Sequence, residues 1–372
     1  MMRSTFLLGA VAALLFAPSA TADKIFTADG KAIEDVQVLE EGMSEITYRD
    51  GRNERKVKTE TVIDVVYEDV PRDIANGVTL VEEDDLFGAI QTYDSYVTRI
   101  LAGDIRETRR RWAPANAAWR IVGLYESLGE LEESATAAQR VITSFPDSRY
   151  MPMAYMAKAD AEYWSGNAET AQRTLADFKS VIESKSLAER YAIEVDLALI
   201  MTNDTLVGQG RRTALSKIVQ RSGDKYVTVA NRALVAIGES ALDDVAAKRG
   251  TAADLLPVAL DHFQEVIDDP LAENVTLAGA YSGKGDCLFQ EGAKAQDQAK
   301  LKEALLCFLR VAAVYPEQTR YVPKSLFYAG RCFDLFGTEQ GTERAQQMYA
   351  EVWFRFQGTK WANEAKNFSR RR

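Results

Sequence analysis

The chain has 372 residues, 47% of them hydrophobic and 27% charged, with a formal net charge of −10. That acidic balance argues against nucleic-acid and anionic-lipid partners, which need a basic footprint. The length exceeds a usual single core, so the chain has to divide or repeat.

The first residues carry one basic side chain, Arg3, then an apolar run from Phe6 to Ala17 and a small-residue exit at Ala20-Thr21-Ala22. This is the plan of a secretory signal peptide over 1–22, with cleavage expected before Asp23. The run is too short to stay behind as a membrane anchor, and no cysteine follows it to take a lipid. Export to a periplasm is expected, with secretion or outer-membrane association as alternatives.

From Lys24 to Glu68 the pattern has a period of two. AIEDVQVLEE, SEITYRD and VIDVVYED are rich in Val, Ile and Tyr and are broken by Asp29-Gly30 and Asp50-Gly51. Asp-Gly supplies the positive φ of tight hairpins, so residues 23–70 are predicted to form a small curled sheet or SH3-like barrel. Its expected core is Ile25, Ile33, Val36, Val38, Ile46, Tyr48, Val57, Val62, Val65 and Tyr67. The module either caps the helices C-terminal to it or docks a ligand.

After Pro71 the period shifts to that of helices and stays there to residue 372. One phrase appears twice, FPDSRYMPMAYMAKA from Phe145 and YPEQTRYVPKSLFYAG from Tyr315, each with an Arg-Tyr pair, at 149–150 and at 320–321. Small residues, alanines, aromatics and prolines recur along this helical region. Gly77, Ala89 and Tyr93 fall in one unit, and Tyr125, Gly129 and Pro146 in the next. Tyr155, Ala159, Gly166 and Ala171 come after them. Gly285, Ala304, Phe308 and Pro316 fit once AKAQDQAK is allowed as an insertion, then Gly330, Ala345 and Tyr349. A small residue late in one helix lets the next approach, and a proline ends the pair.

With these residues the chain resembles the tetratricopeptide repeat family over roughly 71–368, with a repeat of about 34 residues. The resemblance implies a mainly α, right-handed solenoid of about seven helical hairpins following the β module. Between 187 and 269 the units keep helical periodicity but are read as lacking the signature residues. FPDSRYMPMAYMAKADAEYW and QGTKWANEA look like the periplasmic branch of the family, whose members scaffold envelope assemblies and have no catalytic residues to carry over. The chain departs from the lipid-anchored members in lacking the cysteine, and from the coiled-coil members in having a β module.

The resemblance also implies a partner-binding groove lined by the first helix of each hairpin. It maps to Trp119 and Glu126, to Met153, Met156, Asp160 and Tyr163, to Asp286 and Phe289, and to Lys324, Phe327, Arg331 and Asp334. Aromatic, Met and Arg residues are the types that anchor protein interfaces. The expected partners are one or more envelope proteins. The alternative is a cell-wall or surface glycan stacked on Trp112, Trp119, Trp164, Trp353 and Trp361.

Chemistry is weakly signalled. The lone histidine, His262, sits beside a packing face, and there is no Cys-x-x-Cys, so neither a zinc site nor another metal or cofactor is expected. GKGD at 283–286 and GQGRR at 208–212 lack the strand and the Gly-Lys-Ser/Thr ending of a phosphate loop. Arg109–Arg111 and Arg370–Arg372 read as solvated faces. Cys287, Cys307 and Cys332 read as buried small hydrophobes, with one bridge among them left open. The expectation is a binding protein rather than an enzyme.

Overall fold

The computed structural model describes residues 22–27 and 30–369. The expected leader up to Thr21, Asp29 of the first expected turn, and the terminal Arg370–Arg372 lie outside them. The chain divides into two compact units, residues 1–118 with 145–150, and 119–144 with 151–372.

The first unit opens with five strands: β1 (Asp23–Thr27), β2 (Ala32–Glu41), β3 (Glu45–Asp50), β4 (Asn53–Lys58) and, after a 3-10 turn at Thr59–Thr61, β5 (Val62–Val66). They form one antiparallel sheet in the order β4-β3-β2-β1-β5, the SH3-like arrangement in which the last strand returns beside the first. β2 is long enough to serve two partners, β1 through its first half and β3 through its second. Ile25, Val36, Val38, Ile46, Tyr48 and Val65 are buried, and Leu39 joins them. Ile33, Val57, Val62 and Tyr67 are only half-buried, because the sheet is small and curls around few residues. Gly51 turns β3 into β4 with φ 59°.

A bulge decides what this sheet buries. Val38 pairs with Tyr48 and Glu40 with Thr47, so Leu39 is the extra residue on β2. An inserted residue shifts the phase of alternation. Leu39 and Glu41 therefore turn inward and Glu40 turns out.

Two whole helices lie in this unit, α1 (Arg72–Glu82) and α2 (Leu86–Ala102). Asp85 caps α2 by accepting from the Gly88 N–H at 2.9 Å, and Gly103 closes it in the left-handed region. Tyr93 packs so closely on Gly77 that any side chain there would overlap the ring. α3 (Ala113–Leu128) begins in this unit, where Trp112 stacks on Tyr67.

The helices continue as α4 (Leu131–Ser144), α5 (Tyr150–Trp164), α6 (Ala168–Ser184), α7 (Glu189–Met201), α8 (Gly208–Ser222), α9 (Val227–Ala246) and α10 (Ala252–Asp268). After them come α11 (Asn274–Ala295), α12 (Gln298–Val314), α13 (Val322–Leu335), α14 (Glu339–Arg355) and α15 (Lys360–Ser369). Within the second unit each helix from α6 on packs against the next in sequence. From α7 onward each odd-numbered helix also touches the next odd one, so the odd helices form a continuous layer. The protein is thus mainly α, a run of helical hairpins preceded by a small antiparallel sheet.

The interlock holding the hairpins together is the one the repeat pattern expects. A methyl at Gly285 would stand 2.7 Å from the Phe308 ring, and one at Gly330 2.7 Å from that of Tyr349. Within 187–269 the α9–α10 hairpin is built the same way, which corrects the expectation for that part of the stretch. Gly238 on α9 and Ala259 and Phe263 on α10 take the small, alanine and aromatic positions, and Pro270 lies just past the helix end.

Candidate functional site

The two copies of the Arg-Tyr phrase each hold a glutamate. In the first unit, Arg149 Nη1 donates to Glu41 Oε1 at 2.8 Å and Tyr150 Oη donates to Glu41 Oε2 at 2.6 Å. Asn116 Nδ2 in turn donates to Tyr150 Oη at 2.8 Å. The Arg149 N–H also donates to the Glu41 carbonyl, and Met43 N–H to the Asp147 carbonyl, so 145–150 lies along the end of β2. This pair is structural, with the Glu41 side chain 1% exposed.

The second copy borders an open site. In the second unit a cleft of about 130 Å³ is formed by one face of α5, one face of α9, the ends of α7 and α8, and Arg320. α5 contributes Asp160, Tyr163 and Trp164, spaced i, i+3, i+4. α9 contributes Ala236, Glu239, Ser240 and Asp243, spaced i, i+3, i+4, i+7, again a single helical face. Arg320 lies with its guanidinium 4.8 Å over the Trp164 ring and 3.7 Å from Glu239. Tyr163 Oη donates to Asp204 at 2.9 Å, and Arg211 Nη2 donates to the Met201 carbonyl at 2.9 Å.

The electrostatics come from this crowding. Burial and the neighbouring Glu239 push the Asp243 carboxyl up. Burial lowers the Arg320 guanidinium, but Tyr321, Glu239 and Asp160 more than offset it and its pKa rises. On α3, Glu126 is pushed up to about 7, first by desolvation and then by Asp160, and because the residue is surface-exposed, solvent screens part of this effect.

Glu126 has a consequence for stability. Its folded pKa lies above the ordinary glutamate value of 4.5, so the native state resists its ionisation. The resulting destabilisation is absent below about 4.5 and complete above about 7. Glu126→Gln is expected to raise Tm at pH 8, with the gain shrinking to nothing as pH falls to 4. Thermal melts of both proteins across that range check it, and equal gains at pH 8 and pH 4 would count against the assignment.

Of the twelve expected groove residues, Asp160 and Tyr163 line the cleft and the other ten do not. Trp119 and Met156 are half-buried, and Met153 is 40% exposed on α5. Lys324 is ion-paired with Asp286. Arg331 lies 4.4 Å over the Phe368 ring and 5.9 Å over that of Phe289. Asp334 accepts from Tyr349 Oη at 2.8 Å. Phe327 is not a groove residue: it is 3% exposed, packed among Tyr328, Tyr349, Trp361 and Phe368. The reason is α15, which lies against α13 and lays Trp361 and Phe368 over this face.

The charged cleft residues not reached from the sequence as site residues are Arg211, Glu239, Asp243 and Arg320. Arg320 stands out in the repeated phrase. The polar Glu239, Ser240 and Asp243 on one face of α9 are the other available signal.

The tryptophans are dispersed. Trp112 is 2% exposed, Trp361 is packed on Phe327, and Lys366 sits 4.1 Å over the Trp353 ring. Trp164 is the large exposed one, at 52%. Cys287, Cys307 and Cys332 are buried and unbridged, and burial pushes the Cys287 and Cys332 thiols up to about 12. His262 Nδ1 lies 3.7 Å from Glu265, one turn along α10. Among the described residues no helix is long and apolar enough to cross a membrane, and no group of three or more His, Cys, Asp or Glu is placed to hold a metal ion.

The fold and cleft describe a helical-repeat protein with a small β module. No family model matches the sequence, and no curated protein matches it. Among solved structures, the chain is similar to a tetratricopeptide repeat protein from Parabacteroides merdae ATCC 43184, with a TM-score of 0.44 and 12% identity. That match covers 80% of this chain and 97% of the other.

Proposed function

We propose that this protein is a non-catalytic interaction scaffold, exported to the cell envelope, that grips a partner protein at the cleft between α5 and α9 of its second unit. The observation that carries the reading is the cleft beside Trp164. An exposed indole, a tyrosine and carboxylates on two helix faces meet Arg211 and Arg320 there, the composition of a protein-binding hot spot. The dispersal of the other tryptophans favours a protein over a glycan, since a sugar platform needs several open ring faces together.

Export is supported by the leader pattern and by the residue behind it. Asp23, the expected first residue of the mature chain, opens β1, and its carboxylate accepts the N–H groups of Val38 at 2.7 Å and Glu68 at 2.9 Å. A chain cut before Asp23 therefore keeps every strand of the sheet.

The test is site-specific photo-crosslinking in cells, with mass spectrometry of the captured species. A probe at Asp160 is expected to capture one discrete envelope protein from the periplasmic fraction, in a chain whose N-terminus is Asp23. A probe at Leu306, 67% exposed on α12, is expected not to capture it. Trp164→Ala is expected to cut capture at Asp160 at least fivefold with the helical circular-dichroism signal intact. Equal capture from both probes, or a chain retained in the cytoplasm, overturns the reading.

A further inference from the structure

The concave cleft has a size and a charge that together specify what enters it. Small-molecule sites usually enclose about 300–1,000 Å³, and this cleft, at about 130 Å³, has room for one side chain. Three carboxylates line it, those of Asp160, Glu239 and Asp243. Glu239 is paired with Arg320, and Arg320 already covers part of Trp164. The other lining cation, Arg211, donates to a backbone carbonyl. Asp160 and Asp243 form no ion pair and no side-chain hydrogen bond among the described residues.

Resting on the scaffold reading above, we infer that this cleft receives the lysine or arginine side chain of an extended segment of the partner protein. The carboxylates of Asp160 and Asp243 take its charge, and Trp164 and Tyr163 take its alkyl stem and stack against its head. Burial first and then Glu239 push the Asp243 carboxyl up, so a second carboxylate already crowds it within the cleft. A metal ion does not answer this charge, because the described carboxylates do not converge as a ligand set. The protein's net charge of −10 favours the approach of a basic segment at long range as well.

The test is selection from a displayed library of random nonapeptides on the full chain, then binding of the selected synthetic peptide by fluorescence anisotropy. Selected peptides are expected to share one Lys or Arg between apolar residues. Acetylating that lysine, or replacing that arginine with citrulline, is expected to weaken binding at least tenfold. Asp160→Asn with Asp243→Asn is expected to erase this difference, leaving the affinity for the neutral peptide unchanged and the circular-dichroism spectrum intact. Selected peptides that lack a basic residue but lose binding in Trp164→Ala would overturn the inference and leave the scaffold reading standing. A tenfold difference that persists in the double variant would also overturn it. Free putrescine competing as well as the peptide would assign the cleft to a small cation instead. No peptide selected above background, with the chain folded, would overturn both readings.

Discussion

Phe263→Ala is expected to destabilise the second unit by about 3–5 kcal/mol, the cost of deleting a fully buried ring and leaving its cavity. For a unit of this size that is a fall in Tm on the order of 10 °C. The ring is 0% exposed and joins two hairpins, because the glycines of two helices meet it, Gly238 on α9 and Gly283 on α11. All three atoms nearest to a methyl placed at Gly283 belong to Phe263. Gly283→Ala alone should therefore cost about 1–3 kcal/mol through overpacking. In the Phe263→Ala background the same change is expected to reverse sign, since the obstruction is gone and alanine is the better helix former by about 1 kcal/mol. Urea titrations of the four proteins measure the coupling. If Gly283→Ala still destabilises when the ring is absent, something other than Phe263 fixes the approach of these helices.

The same residues show how far the sequence can be read. The glycine and aromatic partners are legible at Gly77 and Tyr93, at Gly285 and Phe308, and at Gly330 and Tyr349, where spacing stays close to the repeat. Gly238, Ala259 and Phe263 obey the same packing rule but escape a spacing rule. α9 is 20 residues long and α7 only 13, so a fixed period loses register there although the contacts are the same. A packing rule survives changes in helix length that a spacing rule does not. Strands are legible for a similar reason, up to the bulge. Strict alternation after Val36 and Val38 puts Glu40 inside and Glu41 outside, and the extra residue at Leu39 reverses both.

For the site, family positions along one helix reach Asp160 and Tyr163, because the first-helix face is a local property. They fail at Phe327, where α15 returns to cover that face. The cleft depends on where α9 and the α12–α13 loop lie beside α5, and Glu239, Asp243 and Arg320 are distant from Asp160 in the chain. No local pattern encodes that proximity. The duplicated Arg-Tyr pair is visible as a repetition, but its two glutamates, Glu41 and Glu239, belong to elements as different as a bulged strand and a helix.

Glu41→Ala is expected to be the other severe single change, at about 3–5 kcal/mol, since it leaves the Arg149 charge buried without its counterion. Tyr150, whose hydroxyl points at the same carboxylate, loses its acceptor as well. The loss should appear first as faster hydrogen exchange in the amides of β2 and of residues 147–150, where backbone bonds tie the loop to the strand end. Removing both charges tests whether the pair stabilises or only specifies. With Glu41→Leu and Arg149→Met together, no charge is stranded, and the backbone N–H of residue 149 can still donate to the carbonyl of residue 41. Buried ion pairs replaced by apolar groups of similar volume are often neutral in stability, so the double variant is expected to recover most of what Glu41→Ala loses. A double variant as unstable as Glu41→Ala would mean that the charge attraction itself holds the loop. Recovery would mean that the bulge at Leu39 and the backbone bonds carry the docking, and that Glu41 serves to select one arrangement of 145–150 from those the backbone would accept.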